Sequence, residues 1–105
     1  MPQYIESPEP AIRTITTGLR FPEGPIAMPD GSVILVEIER GTLTRCNPDG
    51  STEVIAETGG GPNGAALGPD GRVYICNNGG FKWFYGADGG MRSIAQADDY
   101  SGGSI

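Results

Sequence analysis

The chain repeats itself at a spacing of 40 residues, and this repeat limits its possible folds more than any other feature. Two copies share six identical positions, and they read Pro22-Glu23-Gly24, Pro29-Asp30-Gly31 and Val33, then Pro62-Asn63-Gly64, Pro69-Asp70-Gly71 and Val73. A period of about 40 residues with several short strands per unit is typical of the blades of a β-propeller. The sequence therefore predicts an all-β chain with propeller architecture.

The repeat divides the chain into about one and a half blades of a single, incomplete propeller domain. Residues 1–20 form a lead-in, with a strand over residues 11–17 that would complete the last blade of a closed ring. Residues 21–58 form the first blade, and residues 59–105 begin the second, which a long loop over 78–103 interrupts. Because a propeller closes with about four to eight blades, we interpret the chain as the N-terminal part of a longer protein. The alternative is that copies of the chain associate to complete a ring, so the oligomeric state stays open.

Turn residues predict the strands inside these units. Pro-Asp-Gly is a strong turn sequence because Pro presets φ, Asp bonds the neighbouring backbone and Gly accepts positive φ. The strands predicted between the turns cover residues 24–28, 32–38, 42–47, 51–56, 63–67 and 72–76. The aromatic residues of 81–85 fall in the inserted loop, where we expect them to pack the loop onto the propeller; the alternative is that they line a pocket.

Glu23 and Asn63 occupy equivalent positions in successive units, and equivalent positions in a propeller face one central channel. Folding each unit about its Pro-Asp-Gly turn sets residues 23 and 24 opposite 38 and 37, and residues 63 and 64 opposite 78 and 77. Glu37 would then lie near Glu23, with Asn77 and Asn78 near Asn63. All these side chains carry oxygen, the ligand type that hard divalent cations take. The sequence therefore predicts a cation site at one rim of the channel, and the alternative is that Glu23 and Asn63 only cap the starts of their strands.

Composition argues against several other classes of protein and of site. The net charge of −6 does not suit a nucleic-acid partner, which needs a basic surface. The chain has no His, which excludes a histidine base or a histidine metal ligand within it. Cys46 and Cys76 lack metal-ligand spacing and are interpreted as two reduced, partly buried thiols, with a disulfide as the alternative. The N-terminus does not read as a signal peptide and no apolar run would span a membrane, so we expect a cytoplasmic protein without a membrane partner.

The chain resembles the opening of the gluconolactonase, regucalcin (senescence marker protein) and luciferin-regenerating enzyme family. The resemblance covers about residues 15–80, and it is carried by Arg20-Phe21-Pro22-Glu23-Gly24-Pro25, Gly61-Pro62-Asn63-Gly64 and Asn77-Asn78-Gly79-Gly80, with the two Pro-Asp-Gly turns between them. It implies a six-bladed propeller that holds a divalent cation in its channel. It also implies a metal-dependent hydrolase whose partner is a small molecule, a sugar lactone or a related ester. Ca²⁺ is the expected cation, with Zn²⁺, Mg²⁺ or Mn²⁺ as alternatives.

The resemblance also implies a role for each candidate residue. Glu23 matches the metal ligand of the first blade, and Asn63 matches the Asn of the second blade that contacts substrate or water on the metal. Glu37, Asn77 and Asn78 become candidates for outer residues that orient those ligands. The remaining ligands and the catalytic base, which stays unidentified, are expected in later blades.

One position departs from the family pattern. Some members carry Arg two residues before the second-blade Asn, where this chain has Gly61, so recognition of an acidic sugar through that Arg is not expected. Two functional alternatives stay open. One is a phosphotriesterase-like hydrolase, and the other is a non-catalytic propeller that binds a partner or ligand through its loops.

Overall fold

The computed structural model describes residues 11–105, and these residues form an all-β fold without a helix. The eight strands are β1 (Pro22–Ala27), β2 (Val33–Glu37), β3 (Thr42–Cys46), β4 (Thr52–Glu57), β5 (Pro62–Leu67), β6 (Val73–Asn77), β7 (Phe81–Tyr85) and β8 (Met91–Gln96). The first six coincide with the predicted strands to within two residues at each end, so these predictions are confirmed. Within residues 11–105, no helix is long and apolar enough to cross a membrane.

The first four strands form one antiparallel sheet in the order β1-β2-β3-β4. Its turns show why the sequence folds this way. The Oδ1 atom of Asp30 accepts hydrogen bonds from the backbone N of Ser32 at 2.9 Å and from the Ser32 hydroxyl at 2.6 Å. Gly31 adopts a φ of 87°, which only glycine takes without strain. Asp49 and Asp70 make the same bond to the backbone N two residues on, at 2.9 and 3.0 Å.

Strands β5 and β6 form a second antiparallel pair that packs against the first sheet. The apolar core lies between them. Its buried members are Ile34, Val36 and Leu43, and the half-buried side chains packed on them are Met28, Ala65, Val73 and Ile75. Because Ala65, Val73 and Ile75 come from the second unit, the core joins the two repeats face to face, which is how the blades of a propeller meet.

The segment from residue 78 to 103 is not a loop, and this prediction is wrong. Strands β7 and β8 pair with each other as a separate hairpin, and Asp88 Oδ1 accepts the Gly90 N–H in its turn at 2.9 Å. After the hairpin, Ser104 pairs with Asn77 through two backbone hydrogen bonds of 2.8 and 3.0 Å. The hairpin is therefore an insertion between β6 and the backbone that pairs with the end of β6.

The strand predicted over residues 11–17 is also absent from the structure. An alternating pattern becomes a strand only where a second backbone accepts its hydrogen bonds, and this segment is anchored in other ways. The Thr16 hydroxyl donates to the Gly50 carbonyl at 2.9 Å, and Arg40 Nη2 donates to the Gly18 carbonyl at 3.0 Å. The first half of the predicted lead-in, residues 1–10, lies outside the described residues.

Candidate functional site

Strands β1 and β5 approach each other closely where the two candidate ligands lie. Gly24 has a φ of 58°, and a Cβ atom placed on it would lie 2.7 Å from the backbone N of Ala65 and 3.2 Å from Gly64 Cα. The backbones are thus in direct contact one residue after Glu23 and one residue after Asn63. Both of these side chains are exposed. The structure therefore brings together the two segments that the repeat predicted to meet.

The strand register is interrupted near the candidate ligand in both repeats, just after Glu23 in the first and at Asn63 in the second. In the β1–β2 pair the register shifts between Glu23 and Ile26, and in the β5–β6 pair it shifts between Pro62 and Gly64. Such bulges bend a strand and change the direction of a side chain. Asn63 lies inside the second irregularity and has no partner residue across the pair. A register irregularity therefore lies beside Glu23 and at Asn63, although the two are offset by one to two residues.

These bulges also change the pairing that the sequence predicted. Glu23 lies opposite Val36, and Glu37 lies opposite Pro22. In the second unit Asn77 lies opposite Pro62 and Cys76 lies opposite Gly64. The predicted pairing of residues 23 and 24 with 38 and 37, and of 63 and 64 with 78 and 77, is wrong for two reasons. The pairs beside each turn, Ala27 with Val33 and Leu67 with Val73, are already displaced by one residue, and the irregularity in each strand pair adds a second displacement.

Phe21 is the one non-glycine residue with positive φ within residues 11–105, at 61°. This conformation is unfavourable for a bulky side chain, and a residue before proline normally prefers an extended backbone. The Phe21 carbonyl accepts the Ile38 N–H at 3.0 Å, and its ring packs on Trp83 with 5.3 Å between centroids. A strained residue held by such contacts is typical of functional sites, and this one lies two residues before Glu23.

Glu37 is almost completely buried, with 1% of its surface exposed, and its carboxylate is fully hydrogen-bonded. The donors are the Arg20 backbone N at 2.7 Å, Arg40 Nε at 2.8 Å, the Thr42 hydroxyl at 3.1 Å and the Thr44 hydroxyl. None of the hydrogen bonds found among the described residues joins Glu37 to Glu23 or Asn63. The contacts of Glu37 are those of a residue that holds the first sheet and the preceding segment together, and its predicted role in orienting ligands stays a prediction.

The charge of Glu37 is expected to make stability depend on pH. Burial raises the pKa of Glu37, but hydrogen bonds from Thr44, Arg40, the Arg20 backbone and Thr42 together outweigh burial and lower it below the ordinary 4.5. A lowered folded-state pKa contributes stability that is fully present above the unfolded-state pKa and is lost as the pH falls through the folded-state value. We therefore expect the difference in unfolding free energy between the native chain and Glu37→Gln to be constant near neutral pH and to shrink below about pH 4.5. Urea unfolding at a series of pH values tests this, and a difference that grows in acid would contradict it.

The side chain of Asn77 holds the glycine-rich segment that leads into β5, and Asn78 bonds this segment through its backbone N–H, which donates to the Gly61 carbonyl at 2.8 Å. Asn77 Oδ1 accepts the backbone N–H groups of Gly61 and Gly79 at 3.0 and 2.9 Å, and its Nδ2 donates to the Gly59 carbonyl at 2.9 Å. Asn78 Oδ1 accepts the Gly80 N–H at 2.8 Å. These bonds fix the backbone two residues before Asn63. That these two residues also orient a ligand at Asn63 stays a prediction.

Hydrogen bonds among Arg20, Glu39 and Tyr85 attach the hairpin to the first sheet, and the sequence did not predict them. Arg20 binds both carboxylate oxygens of Glu39, at 2.7 and 3.0 Å, and the Tyr85 hydroxyl donates to Glu39 Oε1 at 2.6 Å. The hydrogen bonds from Arg20 are the main cause of a lowered pKa at Glu39. The alternation of Phe81, Trp83 and Tyr85 could have indicated a strand here, because it places three aromatic rings on one face of β7.

The oxygen donors near the β1–β5 contact suit a hard cation but supply only part of a coordination sphere. Glu23 offers a carboxylate and Asn63 a carboxamide oxygen, whereas Ca²⁺ takes about six to eight oxygens. Among residues 11–105 there is no group of three or more acidic, Cys or His side chains that could hold a metal ion. A cation held here would need further ligands besides these two.

Comparison with known sequences now identifies the family. No curated protein sequence matches the chain. A family model described as the SMP-30/gluconolactonase/LRE-like region does match, over residues 21–103. This range includes all eight strands, Glu23 and Asn63. Because this match covers most of the chain and the family is one of β-propellers, the chain belongs to the SMP-30/gluconolactonase/LRE-like family.

Proposed function

We propose that the chain forms part of a metal-dependent hydrolase of sugar lactones or related esters. The observation that supports this most is the backbone contact between Gly24 and the Gly64–Ala65 segment, which sets Glu23 and Asn63 next to the meeting point of two repeats. The register is irregular just after Glu23 and at Asn63, and the chain belongs to a gluconolactonase-like family. These features together favour a shared site at the inner strands.

The side chains have distinct proposed roles. Glu23 would bind the cation with its carboxylate, and the Asn63 carboxamide would hold substrate or water beside it. A divalent cation supplies Lewis-acid activation of an ester carbonyl. Ca²⁺ is the proposed cation because both donors are hard oxygens, with Zn²⁺, Mg²⁺ or Mn²⁺ as alternatives. Neither Glu23 nor Asn63 is assigned as the base.

Calorimetric titration with Ca²⁺ tests the proposed ligand. Glu23→Gln is expected to weaken binding at least about tenfold, or ~1.4 kcal/mol, because a carboxylate becomes a neutral amide of the same size. Glu57→Gln, on the exposed strand β4, makes the same change of charge away from the site and should leave binding unchanged. Equal affinities for the native chain and Glu23→Gln would refute the assignment.

An activity assay on the same samples separates the hydrolase from its alternatives. Hydrolysis of gluconolactone that depends on Ca²⁺ and is lost in Glu23→Gln would support the proposal. Cleavage of a phosphotriester in place of the lactone would favour the phosphotriesterase-like alternative. Ca²⁺ binding by a protein that hydrolyses neither substrate would favour a non-catalytic binding module. Light scattering on the titrated sample gives the oligomeric state.

We extend the proposal to the cellular location and the class of partner. Both cysteines are free thiols, which suits a reducing compartment such as the cytoplasm. Cys46 is buried, and burial raises its pKa, while Cys76 is exposed, unlike the partly buried thiol expected for it. The net charge of −6 favours a small-molecule partner over a nucleic acid or an anionic membrane surface.

A further inference from the structure

A cleft lies beside the inserted hairpin, and it contains neither Glu23 nor Asn63, although Asn77 lines it. Its volume is about 540 Å³. Its lining includes Phe81, Trp83 and Tyr85 of β7 and the acidic residues Glu39 and Asp99. None of the lining residues is Lys or Arg. The cleft therefore combines aromatic rings with negative charge.

The aromatic side is a defined arrangement of rings. Phe81 meets Trp83 edge-on, with 5.8 Å between centroids and 81° between planes. Both side chains are half-buried, so part of each ring faces the cleft. The guanidinium of Arg20 already lies 5.7 Å from the centroid of the Tyr85 ring. One ring of the group thus already binds a cation within the protein.

Of the two carboxylates that line the cleft, one is paired with a positively charged side chain and one is not. The Glu39 carboxylate is neutralised by Arg20, which binds both of its oxygens. Lys82 pairs with Asp98 at 2.7 Å. No ion pair involving Asp99 occurs within residues 11–105. Asp99, an exposed carboxylate without a counter-charge among the described residues, therefore lines the cleft together with Trp83 and Phe81.

We propose that this cleft binds a small organic cation of the quaternary ammonium class. The faces of aromatic rings attract such cations because the ring quadrupole is negative there, and Trp provides the strongest attraction. Asp99 supplies the opposite charge, and the acidic chain repels anionic ligands. A hydrated metal ion would gain little from the rings, and a neutral ligand would gain nothing from the charge of Asp99. The cleft includes neither of the proposed hydrolase's ligands, Glu23 and Asn63, so the inference does not depend on that function.

The fluorescence of Trp83 gives a direct test, because Trp83 is the single tryptophan of the chain. Choline is the probe, and 3,3-dimethylbutanol, which has the same shape without the charge, is the matched control. We expect a saturable change in emission with choline and binding of the neutral compound at least about tenfold weaker. Equal affinity for the two compounds, or no saturable change with choline up to about 100 mM, would overturn the proposal.

Substitutions locate the binding site and separate it from the hydrolase site. Asp99→Asn and Phe81→Leu are expected to weaken choline binding at least about fivefold. Phe84→Leu, on the opposite face of β7, and Glu57→Gln, on β4, should leave it unchanged. Unfolding free energies close to that of the native chain show that these variants remain folded. Glu23→Gln and added EDTA should have no effect on choline binding, and a loss in either case would refute a separate site, as would full affinity in Asp99→Asn.

Discussion

Replacing Glu37 with alanine is expected to lower the free energy of unfolding by about 3–4 kcal/mol, a large share of the stability of a small domain. The carboxylate accepts hydrogen bonds from the backbone of Arg20 and from the side chains of Arg40, Thr42 and Thr44. Within residues 11–105 every buried side-chain polar atom has a partner. Removing the acceptor would leave the two buried threonine hydroxyls with only each other, at 2.8 Å.

Matched variants separate the charge of Glu37 from its shape. Glu37→Gln keeps an oxygen acceptor and the side-chain volume, so we expect it to cost about half as much as alanine. Thr44→Val removes one donor and keeps the volume, and its cost should be smaller again, about 1–2 kcal/mol. Urea unfolding followed by far-UV circular dichroism measures all three. If the free energy of unfolding of the alanine variant lies within about 0.5 kcal/mol of that of the native chain, the hydrogen bonds of Glu37 contribute little to stability.

The strands of the two repeats could be predicted because their causes are local. Asp30 bonds the backbone two residues on, and Gly31 takes a φ of 87°, so the turn is fixed by the residues within it. Asp70 does the same in the second unit. The meeting of the Gly24 and Gly64 segments followed from the repeat, because equivalent inner strands of successive propeller units lie next to each other.

The hairpin and the strand register could not be predicted, because their causes are contacts between distant residues. Phe81, Trp83 and Tyr85 alternate, but Phe84 breaks the apolar–polar pattern and glycines follow at close intervals. What holds β7 in place is the bond from Tyr85 to Glu39, across 46 residues of sequence. Similarly, the bulge after Glu23 shifts the pairing of Pro22 and Glu23 with β2. Gly24 and Pro25 are residue types found at bulges, but they do not by themselves determine the register.

Replacing Gly24 with alanine is expected to cost about 3 kcal/mol or more and to disturb the candidate cation site at the same time. A left-handed backbone, with a φ of 58°, accounts for about 1–2 kcal/mol of this. The remainder comes from the new Cβ, which would lie 2.7 Å from the backbone N of Ala65. Backbone atoms cannot move aside as a flexible side chain can, so β1 and β5 would have to separate.

Two glycines of the same chain provide the controls for this argument. Gly71 has a φ of 79°, and no atom lies within 4 Å of the position that an added Cβ would take, so Gly71→Ala should cost only the backbone strain. At Gly64 the nearest atom to an added Cβ is Cys76 Cβ at 3.8 Å, an ordinary contact, so Gly64→Ala should be tolerated. Urea unfolding and Ca²⁺ titration of the three variants separate the two effects. If the site depends on the β1–β5 contact, only Gly24→Ala loses Ca²⁺ affinity, whereas equal losses in Gly24→Ala and Gly71→Ala would show that the contact plays no part.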